Sequence, residues 1–582
     1  MASSTRPIRI AGASGSASDR RHAMAAFAKA YPTDPVHVII SDYMSEANMV
    51  TAGARKVNSR RSKETPADPW EPVGPAFETS FLEALEPALE DLAKYNIKVA
   101  VNAGSSDTEG LYKVVLNMIA KKGLDIKVAW ISGDEAWPAV EKSLKSGQSN
   151  FTNIYTGETL DTWKFKPIDW GSYWYHGWRR DQLQELANAF VAGHLIECST
   201  YVCGGNYSGF KELEHHPGGW VDIGFPIAEI SANGQVVITK QKDSGGMVSV
   251  NTCSSQLVYE IQGPCRGQPR CASRRPRPSS STNHEVGCTA LGGFQAEAMY
   301  LLTGLDIPAK ARMLETQLRY ALLPYSKDYS LLKFHTIGSA LPNSPSQDAA
   351  TTIFRAFAQA RTADLISPQR FLRPIIDNIM QGYPGATFHL DFRQGIPKPY
   401  FEYYVTLLPQ SALTHAVHFN GRTTVIDPPS TTQTFPPRQP SQSTTQIRLS
   451  LTSFGPTTPA PLGSLIHARS GDKGSDANCG FWVPHPHPLS AQIYTWLRNL
   501  LSIETIKTLL GDEYDESRRP KIEIERFELP NLRGVHFLFR NLLDRGVTST
   551  SSVDFLGKNV AEFLRGRVVD VPVRFLGDGA KL

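Results

Sequence analysis

The chain has 582 residues, 41% of them apolar and 20% charged, and carries a net charge of +4. That length exceeds one ordinary core, so two or three domains are expected, and the near-neutral charge argues against nucleic acid or a membrane surface as the main partner. No run reaches transmembrane length, no apolar signal-peptide core precedes Ile8, and seven scattered cysteines suggest neither a disulfide framework nor a structural zinc site.

Arg6–Gly12 reads as a strand, Asp19–Ala30 as a helix and Val36–Ser41 as a second strand. Phe81–Tyr95 repeats apolar residues at helical spacing, Ile97–Val101 is a short apolar strand, Thr108–Lys122 is again helical and Ile126–Ser132 again a strand. Short apolar strands alternating with helices predict βαβ units in a mostly parallel α/β body. Such sheets bind ligands at the loops leaving the strand C-termini, here Gly12–Ser16, Asn102–Ser106 and Ser132–Glu135. The first loop is not GxGxxG, which argues against a dinucleotide. Small-residue loops before helix N-termini still suit a phosphate or carboxylate, or else merely permit tight turns.

From Phe225 the texture becomes α+β. Pro226–Ile230 and Gln235–Lys240 flank Asn233-Gly234, a hairpin signal. Gly245-Gly246 and Gln256–Ile261 extend a glycine-rich β region, Arg312–Leu322 and Thr352–Arg361 read as helices, and Tyr400–Leu408 as a strand. Gly263–Ser281 is basic and rich in Pro and Ser, with almost nothing to bury. Pro428–Pro461 has the composition of an interdomain linker, dividing a main domain, 1–427, from a C-terminal module, 462–582. In that module Ser464–Ala468, Lys521–Phe527, Val535–Arg540 and Val571–Arg574 read as strands, with Leu489–Leu500 and Phe555–Leu564 as helices. The order βαββαβ is that of a ferredoxin-like domain.

The densest polar cluster is His467–Asn478, with Arg469, Asp472, Lys473 and Asp476 beside Gly471 and Gly474. At a strand exit, glycines at positive φ let backbone N–H groups converge on an anion while Arg469 and Lys473 supply charge. A solvated surface turn is the alternative.

Many short pieces occur in one order: Ile8–Gly15, Asp42–Glu46, Val101–Gly104, Ile131–Asp134, His194–Ser199, Gly204–Asn206, Pro226–Glu229, Gly245-Gly246, Tyr259–Pro264 and Gly292–Glu297. With these the chain resembles the acyclic terpene utilisation (AtuA) family, and the tail resembles the ferredoxin-like domain that accompanies it. Two departures stand out. The family pattern places a further strand and helix where 168–176 runs straight into Gly177-Trp178, and the basic stretch 263–281 replaces ordered structure.

The resemblance implies a role in acyclic isoprenoid or branched-chain acyl-CoA metabolism, with a coenzyme A thioester as the anionic small-molecule substrate and a carbon–carbon lyase step on a 3-hydroxyacyl thioester. Such a step needs a base on the hydroxyl and donors for an enolate oxygen. Asn102, Asp134, Glu197, Asp472 and Lys473 are the first candidates for the chemistry, with Asp42, Glu46 and His194 as further bases and Asn206 as a further donor. Gly12, Gly15, Gly104, Arg469, Gly471 and Gly474 are the candidates for holding the anion. For each, a helix cap or structural hydrogen bond is the competing role. No metal is expected, since Glu212, Glu214, His215 and His216 lack HExxH spacing. Two other functions stay open: an accessory scaffold of an acyl-CoA carboxylase or lyase system, and a tailoring enzyme of a secondary-metabolite cluster. An intracellular, cytoplasmic protein is expected, with mitochondrial or peroxisomal placement and homo-oligomers left open.

Overall fold

The computed structural model describes residues 6–61, 74–147, 151–172, 183–259, 261, 283–427 and 440–576. Lys98–Val101, Val38–Ser41 and Ile8–Ser14 lie side by side in parallel, and the hairpin Pro226–Ile230/Val236–Lys240 continues the sheet antiparallel beyond Ile8–Ser14. Helices Ala23–Ala30, Ser80–Leu85, Leu89–Tyr95 and Thr108–Lys121 contribute Phe27, Phe81, Leu89 and Val115 to the core on one face. Helix Leu183–Glu197 covers the other face, with Ala192 and Ile196 against Ala228 and Ile10. Burial on both faces is why these strands read as short apolar runs. The next expected strand leaves this sheet: Ala129–Ser132 pairs antiparallel with His415–Phe419, which pairs in turn with Arg422–Ile426.

A second sheet is organised on the 21-residue strand Asn283–Thr303. Thr351–Ala360 and then Tyr329–Ile337 extend its C-terminal half, while Lys398–Pro409 and Pro167–Ser172 pair with its N-terminal half. At the changeover Gly293 has φ +138°, and a β-carbon there would stand 2.3 Å from the Ala360 carbonyl oxygen. The register slips opposite it, between Tyr400 and Phe401, as a bulge requires.

Two expectations are corrected in this region. Thr352–Arg361 is the strand Thr351–Ala360 rather than a helix. It is paired along both edges and buried from Phe354 to Ala360, so its alanine-rich run shows no alternation to betray a strand. Gln256–Ile261 is not β structure; Val250–Leu257 is a helix whose N-terminus is closed by a reciprocal Ser249/Thr252 capping box. The helix expected over Arg312–Leu322 is present as Ile307–Leu322, with Leu314, Leu318 and Leu322 in the core beside Tyr300 and Phe354.

Between the two sheets lies helix Glu46–Arg61, which packs on Pro167–Ser172, Asn283–Thr303 and Lys398–Pro409 and buries Val50 and Ala54. Among the described residues no helix is long and apolar enough to cross a membrane.

The C-terminal part has its own core, drawn from residues between Phe454 and Phe575. Its four strands lie in the order His467–Lys473, Asp476–Trp482, Gly534–Arg540, Glu523–Leu529, all antiparallel. Helices Ser490–Leu500, Ile503–Leu510 and Asn559–Gly566 supply Trp496, Ile506 and Leu564 to that core. The fold class is thus an α/β body with a ferredoxin-like domain at its C-terminus. The edge strand differs from expectation. His467–Lys473 stands beside Asp476–Trp482, while the last strand, Val568–Pro572, pairs with Thr457–Pro461 in a separate ribbon.

Of the expected linker, 428–439 lies outside the described residues. From 440 the chain is docked on the C-terminal domain: the Gln442 N–H donates to the Arg526 carbonyl, and Phe454 and Ala460 enter the core. The stretch 263–281 and residues 173–176 also fall outside the described residues.

Candidate functional site

The first strand exit is filled by protein. A β-carbon on Gly12 would stand 2.2 Å from the Ile196 carbonyl oxygen, and one on Gly15 would stand 2.6 Å from Cys198 Cα. These glycines let the end of helix Leu183–Glu197 rest on the strand exit, so backbone occupies the place where a phosphate would sit. Glu197 belongs to the same packing. Its Oε1 is 2.8 Å from His194 Nδ1, and His194 Nε2 donates to the Gln256 carbonyl at 2.8 Å. That pair ties helix Leu183–Glu197 to helix Val250–Leu257.

The exits of Val38–Ser41 and Lys98–Val101 are joined by side chains. Asn102 donates from Nδ2 to Asp42 Oδ1 at 2.6 Å and accepts from the Tyr43 N–H at 2.8 Å, while Asp42 Oδ1 also accepts from the Met44 N–H. Gly104 makes the tight turn into the next helix, since a β-carbon there would stand 2.6 Å from Thr108 Oγ1. Next to this stitched floor opens a crevice of about 70 Å³, bounded by Met44, Asn48, Arg55, Phe77, Glu78 and Ser105.

Asp134 stands beside this region, on the turn after Ala129–Ser132. Burial pushes its carboxyl above the ordinary carboxylate value; its own backbone N–H and Lys56 oppose the rise, and Glu135 and Asp107 add to it. Lys56 pairs with Glu135 at 2.5 Å and its side chain is only 12% exposed. Asn102 and Asp42 thus stand at the start of helix Glu46–Arg61, while Asp134 is under the influence of Lys56 farther along it.

His467–Asn478 is a correction: it is a buried hairpin and not an open turn. Positions 467–473 and 476–482 pair residue for residue around Gly474-Ser475, and Asp472, Asp476 and Asn478 are all buried. The Arg469 guanidinium lies over the rings of Tyr201 and Tyr259, 4.6 and 4.4 Å from their centroids, and donates to the Asn206 carbonyl at 2.9 Å. Asn478 donates to the Val258 carbonyl at 2.7 Å. His467 sits 3.1 Å from both the Tyr207 hydroxyl and the Ser208 Oγ. Such polarity points to solvent or ligand in the sequence; here the main body supplies partners instead, although Nη2 of Arg469 is buried without one among the described residues. Arg469 and Gly471 are engaged by protein. Of the motif's candidates, Gly474 borders a narrow cleft that it shares with Glu46, Tyr155, Tyr403 and Arg545.

Two groups went unread. Arg55 is half-buried on the crevice wall, and its Nε has no hydrogen-bond partner among the described residues. The recoverable signal was spacing, because Asn48, Thr51 and Arg55 share one face of a helix. The other is Glu402, 2% exposed on Lys398–Pro409, whose partners Arg545 and Ser549 come from a loop of the C-terminal domain at 2.7 and 3.2 Å. Nothing near either partner in sequence announces it. Among the described residues no three His, Cys, Asp or Glu side chains are grouped to hold a metal ion.

The family pattern of "Acyclic terpene utilisation family protein AtuA" matches residues 8–174, 170–271 and 270–419, and that of the "AtuA ferredoxin-like domain" matches 460–570. The match to the body comes in three stretches, which adjoin at 170–174 and 270–271. No curated protein and no solved structure matches the chain.

Proposed function

The chain belongs to the acyclic terpene utilisation family AtuA, and from that premise we propose that it is an enzyme that cleaves a carbon–carbon bond in a 3-hydroxyacyl thioester of an acyclic or branched chain. In such a retro-aldol step a base takes the hydroxyl proton as the C2–C3 bond breaks. The electron pair moves onto the thioester as an enolate, and C2 then takes up a proton, leaving a carbonyl compound and a shortened thioester. The observation that carries the reading is Asp134. A carboxyl raised by burial is a stronger base than an exposed one, and it lies beside a largely buried lysine, Lys56, whose charge favours an oxyanion. The amide of Asn102, held by Asp42, supplies a positioned donor at the neighbouring strand exit.

The test is a panel of 3-hydroxyacyl coenzyme A thioesters incubated with the full chain and followed by mass spectrometry. The expected result is a shortened thioester and a carbonyl product, reduced about 100-fold or more in Asp134→Asn. Absence of turnover by the wild type, or undiminished turnover by the variant, overturns the reading.

A second reading, an accessory subunit of an acyl-CoA carboxylase or lyase system, is favoured by one observation. The match to the family is split into three stretches, which overlap at 170–174 and 270–271. Thioester binding without turnover in the same panel supports it.

A further inference from the structure

We infer that the crevice beside helix Glu46–Arg61 is a subsite for a hydroxycarboxylate, with Arg55 holding the carboxylate and Glu78 accepting from the hydroxyl. The inference rests on the reading that substrate enters at these strand exits, and it gives that substrate a free carboxylate in addition to its thioester.

A guanidinium is always charged, and leaving its donors unpaired in a half-buried position costs free energy that a bound anion would recover. The Nε of Arg55 is buried without a partner, and Arg55 forms no ion pair with a described residue, whereas its neighbour Lys56 has Glu135 at 2.5 Å. Arg55 lines an open crevice, where the terminal N–H groups of its guanidinium, rather than the enclosed Nε, are the donors a ligand would meet. A planar, two-oxygen anion matches the guanidinium fork, which offers parallel donors to a carboxylate.

The opposite charge in the crevice narrows the ligand. Glu78 uses Oε1 to accept from the Ser80 N–H at 3.0 Å, which leaves Oε2 as an acceptor on the same wall. A doubly charged phosphate would meet that carboxylate with repulsion. A singly charged carboxylate with a hydroxyl a few atoms away satisfies both groups at once. Met44, Ala52 and Phe77 line the remaining wall and suit a hydrocarbon branch.

The experiment uses the full chain, with three probes titrated by calorimetry: 3-hydroxybutyrate, butyrate and inorganic phosphate. The expected order is 3-hydroxybutyrate tighter than butyrate and butyrate tighter than phosphate. Arg55→Gln should weaken 3-hydroxybutyrate about tenfold or more, and Glu78→Gln should remove its advantage over butyrate. Because Arg55→Gln can disturb folding, labelling of wild-type arginines with phenylglyoxal gives an independent readout. Modification of Arg55, followed by peptide mass spectrometry, should be suppressed by 3-hydroxybutyrate. Tightest binding by phosphate, no binding of any probe, or binding and labelling indifferent to Arg55 overturns the assignment. Probe binding that depends on Arg55 without thioester turnover keeps this subsite and fails the lyase reading, whereas turnover with binding unaltered in Arg55→Gln does the reverse.

Discussion

Gly471 faces Tyr259 so closely that a β-carbon on the glycine would stand 2.4 Å from the tyrosine ring. Gly471 lies in the C-terminal sheet and Tyr259 in the body, and their contact sets how near the two approach. Gly471→Ala forces the ring or the hairpin to move, and Tyr259 is held in turn by the Arg469 guanidinium over its face. The expected cost is about 1–3 kcal/mol of stability, the usual penalty of overpacking. Chemical denaturation measures it, and a wild-type midpoint for the variant would show that this contact gives way freely.

The difference between what was legible and what was not follows from where each element finds its partners. The hairpin around Asn233-Gly234 was readable because both strands and the turn lie within fifteen residues. Thr351–Ala360 was not, since its neighbours on both edges come from elsewhere and its faces are both buried. His467–Asn478 was misread for a related reason. Its charges looked solvated because Tyr201, Val258 and Tyr259, which cover them, lie more than two hundred residues earlier. Gly12 and Gly15 carried a true signal of close approach, but sequence could not say whether backbone or ligand approaches. Arg55 sat unnoticed in a segment that was never read as a helix.

Glu402 and Arg545 make the second clamp across the seam. Burial raises the Glu402 carboxyl above its ordinary value, and Arg545 and the Ser549 hydroxyl counter the rise. Arg545→Met leaves a buried carboxylate without its cation, at an expected cost of about 3 kcal/mol near neutral pH. The pH dependence has a definite sign. An acid whose folded value lies above its unfolded one binds protons more tightly when folded, so stability falls as pH rises through the folded value. Losing Arg545 raises Glu402 further, so the variant's deficit should be largest near pH 7 and shrink toward pH 4. Thermal unfolding across that range checks it; a deficit independent of pH would mean that Glu402 is not the group left stranded.

His467 titrates in the opposite sense. Burial pushes its ring down to about 4, so the folded protein binds fewer protons than the unfolded chain between pH 6.5 and 4. Its contribution is intact above the unfolded value and is lost as pH falls through that window, amounting to about 2 kcal/mol between pH 6.5 and 5. His536, also buried and pushed down to about 3, acts in the same direction. His467→Gln keeps a polar side chain facing Tyr207 and Ser208 but cannot titrate. The variant should therefore show a shallower fall in stability from pH 7 to 5 than the wild type. Equal slopes would assign the acid sensitivity to other groups.

The two junctions in the family match bear on whether this chain, as written, is active. Pro167–Ser172 pairs with residues 286–290 of the long central strand, so the junction at 170–174 falls on a sheet element rather than in a peripheral loop. The resemblance to the family implies a further strand and helix after it, and the basic run over 263–281 stands at the second junction, 270–271. Sheet elements and their crossovers are lost from a working fold far less readily than surface loops, because their backbone groups then need new partners. A missed or misplaced splice would account for both departures at once, and real lesions in a decaying copy are the alternative. Sequencing the transcript should therefore reveal additional codons near 172–177 and a different reading over 263–281, and the chain translated from that transcript should turn over the thioester panel. A transcript encoding both junctions as written removes the splicing account and shifts weight to the accessory-subunit reading.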